Sequence, residues 1–386
     1  MSKILILTIP PFDGGVPAKT AILARFLRSL GHEITIAYYA TISKEPELSK
    51  SMITGWNKLS TKDSICFDDF NAVAVGSFLP ELEFTYYLPS DRWINLINSH
   101  DYHIAVGGTV MISYPLLKAN VPHLVWCAST MIEDREDRRA AMPTLRKVTD
   151  KVLIGRVQSI MEREILSGNG IILPVSLHAK DTLLELSPNG KIINIMPIPV
   201  DCDELTPDYN ATEIGLIGFA GRISDPRKNI KLLINAVEIA KNEYSNIKLI
   251  LTGNPHEEIN SSAIEFTGVL TREKLVKFYK RLDVFVIPSK QEGFGIVGIE
   301  AMACGVPVIT TPCGGPADYV INNQTGFIAD FTPETIAKHI INIINDRKLR
   351  HILSKNARNM ALNNYSHDRF KQVLQDSWFK CWGSNI

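Results

Sequence analysis

Short runs of apolar, β-branched residues alternate with stretches of helical spacing along nearly the whole chain. Near the N-terminus, residues 3–9 and 33–39 predict strands, and residues 18–30 predict an amphipathic helix between them. Strands that are apolar throughout are typical of a mostly parallel sheet with helices on both faces. The same alternation predicts further strands at 72–76, 102–106, 122–128, 170–175 and 192–198, helices at 145–166 and 178–186, and a loop or strand at 78–89.

A polar stretch without periodicity, residues 201–213, interrupts this alternation, and we interpret it as an interdomain linker. Because 386 residues exceed what one core ordinarily organises, we expect two α/β domains, residues 1–200 and 201–365, followed by a C-terminal segment, residues 366–386. The second half predicts strands at 214–219, 248–252, 263–267, 283–287, 306–310 and 325–329, and helices at 230–240, 272–281, 296–303, 333–344, 349–360 and 366–384. The last of these helices has a predicted apolar face formed by Phe370, Val373, Leu374, Trp378 and Phe379.

The composition of the chain bears on which molecules it binds and on the cellular compartment in which it works. Lys+Arg and Asp+Glu both number 41, so no overall positive field points to nucleic acid. The six cysteines lack the close spacing of a metal site, and we interpret them as the reduced thiols of a cytoplasmic protein. No apolar run approaches the ~18 residues of a membrane-spanning helix, which leaves peripheral binding through a local patch open.

The stretch 288–316 is the most informative part of the sequence. It follows a predicted strand and encloses the predicted helix 296–303. Glu292 precedes that helix and Glu300 lies inside it, while Gly295 lets the backbone approach a ligand closely. A strand, a glycine-containing loop and a helix N-terminus together predict a pocket for phosphate or for sugar hydroxyls.

Two cations follow the predicted strand 214–219. Arg222 and Lys228 lie at the mouth of the next helix, at the carboxyl end of a strand, where open α/β sheets bind ligands. A guanidinium and an ammonium both suit a diphosphate, although two surface cations would give the same pattern. Together with two nearby acids they fit a nucleotide sugar. The Gly14-Gly15 pair after the first strand is either a tight turn or a ligand-facing loop.

Taken together, these motifs resemble the retaining glycosyltransferases of family 4, also called glycosyl transferases group 1. The resemblance covers nearly the whole chain and implies the GT-B architecture, an α/β fold with two Rossmann-like domains facing across a cleft. It also implies that the C-terminal helix, residues 366–386, crosses back to the N-terminal domain. The motifs that carry it are the Gly14-Gly15 loop, Gly221-Arg222, Lys228-Asn229, Leu251-Thr252-Gly253, Phe266-Thr267-Gly268, the Glu292–Glu300 unit, Gly314-Gly315-Pro316-Ala317-Asp318 and Thr325-Gly326-Phe327.

The resemblance implies a role for each of these residues. Arg222 and Lys228 would hold the donor diphosphate, Glu300 the ribose hydroxyls, and Glu292 the sugar that is transferred. Arg222, Lys228 and Glu292 form the implied catalytic set. The rest of the implied binding set is Gly15 beside the diphosphate and acceptor, Thr267, Gly268 and Val269 around the base, and the backbone N–H groups of Phe294, Gly295 and Ile296 around the sugar.

In such enzymes two cations replace the divalent ion of other glycosyltransferases, so the resemblance implies no metal and no cofactor. Asp201-Cys202-Asp203 has the spacing of a metal-binding D-x-D motif but falls in the predicted linker. The donor would be a UDP-, GDP- or ADP-sugar, and the acceptor a hydroxyl of a saccharide, a glycolipid or another molecule used in polysaccharide biosynthesis. A cytoplasmic enzyme, with peripheral contact at the inner face of the membrane left open, fits this role. The sequence indicates neither the base, the sugar, the linkage nor the oligomeric state.

The sequence departs from the family pattern at one position. Many members carry a histidine near the end of a middle N-terminal strand, and the corresponding residues here, Cys127 to Ser129, include none. Ser129 or Thr130 could replace it. Two alternatives therefore stay open beside transfer: a GT-B sugar-nucleotide epimerase or hydrolase, and a donor-binding pseudoenzyme with weak catalysis.

Overall fold

The computed structural model describes residues 1–10, 14–67, 69–135, 142, 144–192, 194–254 and 263–386. It divides into two compact units. Unit 1 contains Met1–Met196 together with Val373–Ile386, and unit 2 contains Pro197–Gln372. Residue 193 of the predicted strand 192–198 lies outside the described residues.

Unit 1 is built on a seven-stranded sheet with the order β5-β6-β2-β1-β7-β8-β9. All described neighbours pair in parallel except β5 and β6, which are antiparallel. The strands are β1 (Lys3–Thr8), β2 (Glu33–Tyr39), β3 (Lys50–Ser51), β4 (Gly55–Trp56), β5 (Thr61–Cys66), β6 (Phe70–Val75), β7 (Tyr102–Val106), β8 (Leu124–Cys127) and β9 (Ile171–Pro174), of which β3 and β4 form a separate hairpin.

Helices connect most of these strands, and among the described ones two are capped by a serine side chain. Ser90 and Ser176 each accept a hydrogen bond from a backbone N–H of the first turn, which satisfies a donor that the helix itself cannot. The helices of unit 1 whose bounds lie within the described residues are α1 (Gly15–Ser29), α2 (Asp91–Asn98), α3 (Tyr114–Lys118), α4 (Thr144–Thr149), α5 (Gly155–Leu166) and α6 (Leu177–Leu186), and the π-helical segment Asp150–Ile154 joins α4 to α5. Residues 131–135 are helical as well.

Unit 2 has a six-stranded sheet with the order β12-β11-β10-β13-β14-β15, in which all described neighbours are parallel. The chain reverses its winding direction between β10 and β13, and such a switch point creates a crevice at the carboxyl ends of the strands. The strands are β10 (Leu216–Ala220), β11 (Lys248–Thr252), β12 (Ile264–Gly268), β13 (Val284–Ile287), β14 (Val308–Thr310) and β15 (Gly326–Ile328). The helices are α7 (Ile230–Glu243), α8 (Arg272–Arg281), α9 (Ile296–Ala303), α10 (Pro333–Asn345), α11 (Arg347–Tyr365) and α12 (His367–Trp382), whose residues from Val373 onward belong to unit 1.

The structure corrects several sequence predictions. In the described part of 192–198, Ile192 forms only an isolated bridge to Ile172 and no regular strand follows. Residues 78–89, predicted as a loop or a strand, form a loop with two short 3₁₀ turns, Pro80–Leu82 and Phe84–Tyr87. Phe379, placed on the apolar face of the last helix, is exposed.

The predicted linker 201–213 is anchored to unit 2 rather than free. The guanidinium of Arg358 donates to the carbonyl oxygens of Cys202 at 2.9 Å and Leu205 at 2.5 Å, and the Leu205 side chain is fully buried. A polar sequence can still be fixed when its backbone carbonyls are hydrogen-bonded in this way.

Candidate functional site

Two loops meet at the switch point of unit 2. The first follows β10 and contains Arg222, a 3₁₀ turn and Asn229, which lies in the left-handed region (φ 52°) just before α7. The second follows β13 and contains Glu292. The backbone N–H of Lys290 donates to the carbonyl oxygen of Arg227 at 2.7 Å, which ties the two loops together.

Lys228 and Glu292 form an ion pair at this junction. The ammonium of Lys228 meets Oε2 of Glu292, and both side chains are mostly buried. The Ser289 hydroxyl donates to the same oxygen at 3.4 Å. The structure thus brings together one cation and one acid that are 64 residues apart in sequence.

Arg222, the second predicted cation, does not join this pair. Its side chain is 74% exposed and lies 3.4 Å from Asp225. Asp225 is held more closely by Arg227 at 2.8 Å, and this hydrogen-bonded guanidinium lowers the pKa of the Asp225 carboxyl, with a smaller contribution from the charge of Arg222. Arg222 is therefore a solvated cation at the rim of the crevice.

The loop before α9 has a fixed backbone. Glu292 donates its N–H to the Cys313 carbonyl at 2.6 Å and accepts at its own carbonyl from the Gly315 N–H at 2.9 Å. Gly295 then adopts φ +72°, and the Tyr319 hydroxyl donates to its carbonyl oxygen at 2.7 Å. A Cβ at Gly295 would lie only 2.8 Å from that hydroxyl oxygen, so this position favours glycine.

Gly295 is also the N-cap of α9, and within the described part of unit 2 no side chain caps this helix. The N–H groups of Ile296 and Val297 precede the first hydrogen-bonded turn, in which the Gly298 N–H donates to the Gly295 carbonyl at 2.9 Å, and they carry the positive end of the helix dipole. Phe294 is buried and packs edge-on against the ring of Tyr365. The arrangement can hold an anion or a hydroxyl oxygen beside Lys228 and Glu292.

Glu300 lies inside α9 and is already bound within the fold. One carboxylate oxygen is paired with Arg272, and the other accepts a hydrogen bond from the Tyr279 hydroxyl at 2.9 Å. Burial, with the neighbouring Glu300 charge as the next cause, raises the pKa of Tyr279 well above its ordinary value, so the tyrosine remains a donor. Sequence reasoning identified Glu300 but not the two donors on α8 that orient it.

Thr267, Gly268 and Val269 lie at the end of β12, on the same sheet edge but separated from β10 by β11. Gly268 has φ +68°, and its carbonyl accepts from the Gly253 N–H at 2.8 Å. Val269 is exposed. The structure therefore places this loop at the carboxyl edge of the sheet, apart from the Lys228–Glu292 pair.

In unit 1, Gly14 adopts φ +103° and Gly15 begins α1, and a Cβ at either glycine would meet no atom within 4 Å. One helical turn later, Lys19 is buried. Its ammonium nitrogen donates to the carbonyls of Gly107 at 2.8 Å and Trp126 at 3.0 Å, at the ends of β7 and β8. Burial lowers the pKa of Lys19 to about 7, against a smaller opposing effect of Cys127.

Lys19 was not singled out from the sequence. The available signal was its spacing of four and eight residues from Leu23 and Leu27, which places all three on one helical face, and all three are buried. A lysine on a buried face is uncommon and needs hydrogen-bond partners, which the two strand-end carbonyls supply.

The residues after β8 are held by a local network. The N–H groups of Ala128 and Ser129 donate to the Gly108 carbonyl at 2.8 and 2.9 Å. The Thr130 hydroxyl donates to Glu133 at 3.1 Å, and the other carboxylate oxygen of Glu133 is hydrogen-bonded to His178 at 2.8 Å. Although Cys127 to Ser129 include no histidine, the fold thus brings one to Glu133 from the start of α6, a pairing that the sequence did not indicate.

A cavity lies at the carboxyl edge of the unit 1 sheet, with Tyr39, Tyr87, Gly108 and Arg135 in its lining. Tyr39 stacks on Tyr86 with ring centroids 4.4 Å apart, and Tyr87 meets Tyr39 edge-on at 5.6 Å. Trp126, by contrast, is a core residue, with its indole N–H donating to the Met196 carbonyl.

Within the described ranges, no group of three or more His, Cys, Asp or Glu side chains is arranged to hold a metal ion. In the D-x-D sequence, one Asp201 carboxylate oxygen accepts from the N–H groups of Asp203 and Glu204 at 3.0 and 2.9 Å. Of the helices among the described residues, none has the length and apolar character to cross a membrane.

Residues 210–360 match the sequence profile of the glycosyl transferases group 1 family. The chain is 39% identical over 175 residues to the capsular polysaccharide biosynthesis glycosyltransferase CapM of Staphylococcus aureus, covering 42% of this chain and 45% of CapM. It is 27% identical over 201 residues to the lipopolysaccharide 1,2-N-acetylglucosaminetransferase of Salmonella typhimurium, covering 46% and 52% of the two chains. The chain spans about half the length of the curated relatives it matches.

Among solved structures, a sucrose-phosphate synthase of Thermosynechococcus elongatus aligns over 99% of this chain and 100% of its own, with a TM-score of 0.72 and 16% identity. HepE of Anabaena, in complex with UDP and glucose, aligns over 98% and 100% with a TM-score of 0.68 and 15% identity. These likenesses confirm the predicted two-domain GT-B fold. Residues 210–360 are thus the part of this chain that matches the glycosyl transferases group 1 family.

Proposed function

We propose that this protein is a retaining glycosyltransferase of family 4, which moves a hexose from a nucleotide-diphosphate sugar to a hydroxyl of a saccharide or glycolipid. The observation that carries the proposal is the Lys228–Glu292 pair beside the uncapped N-terminus of α9, at the switch point of the unit 2 sheet. A cation, a carboxylate and free helix N–H groups within one crevice match the phosphates and hydroxyls of such a donor.

In the proposed reaction, the bond between the sugar and the diphosphate breaks with oxocarbenium character, and negative charge grows on the departing phosphate. Lys228, the rim cation Arg222 and the N-terminus of α9 stabilise that charge. Glu292 orients the sugar through its hydroxyls. The acceptor hydroxyl attacks from the face that the phosphate leaves and gives its proton to that departing phosphate, so the anomeric configuration is retained.

The positive charge for the leaving group is supplied by Arg222 and Lys228 in this proposal, so neither a divalent ion nor a cofactor takes part. Glu300, oriented by Arg272 and Tyr279, is assigned to the ribose. The loop of Thr267, Gly268 and Val269 is assigned to the base, and Gly15 to the diphosphate and acceptor.

The cavity lined by Tyr39, Tyr87 and Arg135 is the proposed acceptor site, because aromatic faces and hydrogen-bonding side chains suit a sugar ring. Relatives named for capsular polysaccharide and lipopolysaccharide synthesis support a saccharide or glycolipid acceptor. HepE, solved with UDP and glucose, supports UDP-glucose as the first donor to try.

The test is a donor screen with the purified chain. UDP-, GDP- and ADP-sugars are compared first by thermal shift, because a bound donor stabilises the folded state. The donor that binds is then followed by NMR for turnover and for the anomeric configuration of the product. We expect Lys228→Ala and Glu292→Gln each to reduce transfer by about 100-fold or more, and EDTA to leave it unchanged.

Lys248→Ala is the matched control, because Lys248 is exposed at the amino end of β11, at the opposite edge of the sheet. Wild-type transfer rates in both site variants would refute the assignment. An inverted product would refute the retaining mechanism.

A second candidate, a donor-binding protein with weak catalysis, is favoured by the sequence Cys127-Ala128-Ser129, which lacks the histidine of many relatives. It predicts a clear thermal shift with a donor but no product. Isomerised or hydrolysed donor in the same NMR experiment would instead support an epimerase or hydrolase.

A further inference from the structure

One face of unit 1 exposes a cluster of large apolar side chains. It lies on the continuous helical segment formed by α4, the π-helical residues Asp150–Ile154 and α5. Met161 and Ile165 on the inner side pack into the core of unit 1. On the outer side, four aliphatic side chains are between 48 and 63% exposed: Val148, Val152, Leu153 and Ile160. Single exposed apolar residues are common, but a cluster of them marks a surface that binds something.

The π-helical segment helps to align these residues. Val148, Val152, Arg156 and Ile160 follow one another at intervals of four. In a pure α-helix that interval drifts around the axis by about 40° at each step. A π-helix, closed by i→i+5 bonds, has more residues per turn and rotates less per residue, so the segment Asp150–Ile154 offsets part of this drift. The side chains of Val148, Val152, Arg156 and Ile160 consequently lie along one side of the helical segment.

Cations are interleaved with the aliphatic residues. Lys151, Arg156 and Arg163 are exposed on the same segment. Their aliphatic stems can lie along an apolar surface while the charged ends reach a polar layer. The exposed side of the segment is therefore both apolar and positively charged.

The acids of the segment do not neutralise this side. Asp150 and Glu162 are buried. Glu164 is exposed but engaged, with Lys118 at 3.0 Å and the Tyr114 hydroxyl at 2.6 Å. Among the described side chains of the segment, the acids therefore point inward or are paired, whereas Lys151, Arg156 and Arg163 face solvent.

We propose that this face, defined by Val148, Lys151, Val152, Arg156 and Ile160, docks on the surface of an anionic lipid bilayer. Aliphatic side chains enter the boundary between headgroups and acyl chains, and cations between them meet the negative headgroups. A second copy of the chain fits less well, because a symmetric contact through this face would bring like charges together.

The experiment uses the full chain and two kinds of vesicle, one of equimolar phosphatidylglycerol and phosphatidylcholine and one of phosphatidylcholine alone. At about 0.1 M salt we expect cosedimentation with the anionic vesicles, at least about tenfold stronger than with the neutral ones, and strong weakening at about 1 M salt. Lys151→Glu with Arg156→Glu should reduce binding to the anionic vesicles by about tenfold or more. Val152→Asp should reduce it as well, because it removes aliphatic insertion while both cations remain.

Ile352→Asp with Lys355→Glu is the control, since it combines one aliphatic-to-Asp and one lysine-to-Glu change at exposed positions of α11 and should leave vesicle binding unchanged. Circular dichroism and thermal melting verify that every variant is folded. Equal binding to both vesicle types, no binding to either, or full binding by the Lys151→Glu, Arg156→Glu variant would overturn the proposal.

Sedimentation velocity without vesicles tests whether a second copy of the chain, rather than a membrane, covers this face. A wild-type dimer that becomes a monomer on Val152→Asp would show that a second copy covers the face, and would also overturn the proposal. Because vesicle binding is measured without donor or acceptor, its outcome does not depend on the transferase activity proposed above.

Discussion

Lys19 provides a direct test of how the strand ends of unit 1 are held. Its buried amine donates to the carbonyls of Gly107 and Trp126, and burial lowers its pKa from 10.5 to about 7. A neutral amine still has two N–H groups to donate, so the hydrogen bonds survive deprotonation while the cost of burying a charge disappears. We predict that Lys19→Met makes the folding stability much less dependent on pH in the neutral to mildly alkaline range.

The direction and size of the effect follow from proton linkage. Between the folded pKa of about 7 and the unfolded value of 10.5, the unfolded chain keeps a proton that the folded chain has released. Folding stability therefore rises with pH in this window, by at most about 1.4 kcal/mol per pH unit. For a folded pKa of 7, the gain between about pH 7 and about pH 8.5 is roughly 1.6 kcal/mol. Lys19→Met should lack this gain.

Urea unfolding followed by tryptophan fluorescence measures the effect, and Trp126 is a suitable reporter because its ring centroid lies 5.1 Å from the Lys19 ammonium nitrogen. The measured quantity is the change in unfolding free energy between the two pH values, wild type minus variant. Other titrations common to both proteins cancel, including that of Glu162, whose pKa burial raises to about 7. Lys62→Met, at an exposed lysine, is the control. If the unfolding free energy of Lys19→Met rises with pH as much as that of the wild type, the buried amine does not titrate as the structure implies, and the prediction is wrong.

Two further substitutions test the residues of unit 2 assigned to the donor. Gly295→Ala forces a side chain into φ +72° and within 2.8 Å of the Tyr319 hydroxyl. We therefore expect the free energy of unfolding of unit 2, measured by calorimetry, to fall by about 1–3 kcal/mol. An unchanged transition would mean that the loop readjusts without strain. Tyr279→Phe removes a buried donor from Glu300 and should cost about 1–3 kcal/mol in urea unfolding, a loss that would be absent if Arg272 alone satisfies the carboxylate.

How far the sequence predicts the structure depends on the kind of interaction. The strands and helices of unit 2 were predictable because glycine, proline and polar residues end each short apolar run, and the meeting of Lys228 with Glu292 followed from the rule that parallel strands place their carboxyl ends at one sheet edge. Strand β5 was missed because its sequence, TKDSIC, is mostly polar. It forms an antiparallel edge with four of its six residues exposed, so it has no apolar run to recognise.

The hydrogen-bond partners of individual side chains were harder to predict from the sequence. Lys19 meets carbonyls that lie 88 and 107 residues away in sequence, and His178 meets Glu133 at a separation of 45 residues. Such contacts depend on how loops close over the sheet, which neither periodicity nor spacing encodes. The same limit applies to Glu300, because its burial against Arg272 and Tyr279 depends on the packing of α8 beside α9.

The ion pair between Lys228 and Glu292 has a consequence for donor recognition under the proposed function. A diphosphate that engages Lys228 competes with Glu292 for its ammonium and brings further negative charge beside a mostly buried carboxylate. A nucleotide sugar offsets this cost by giving Glu292 hydroxyls to accept from, whereas a nucleoside diphosphate alone does not. Glu292→Gln removes the competing charge, so we expect this variant to bind free UDP, GDP or ADP at least as tightly as the wild type in calorimetric titration, while transfer is lost. Weaker binding of the free nucleotide by Glu292→Gln, with Glu213→Gln at the exposed surface as control, would show that the carboxylate supports the diphosphate site rather than competing with it.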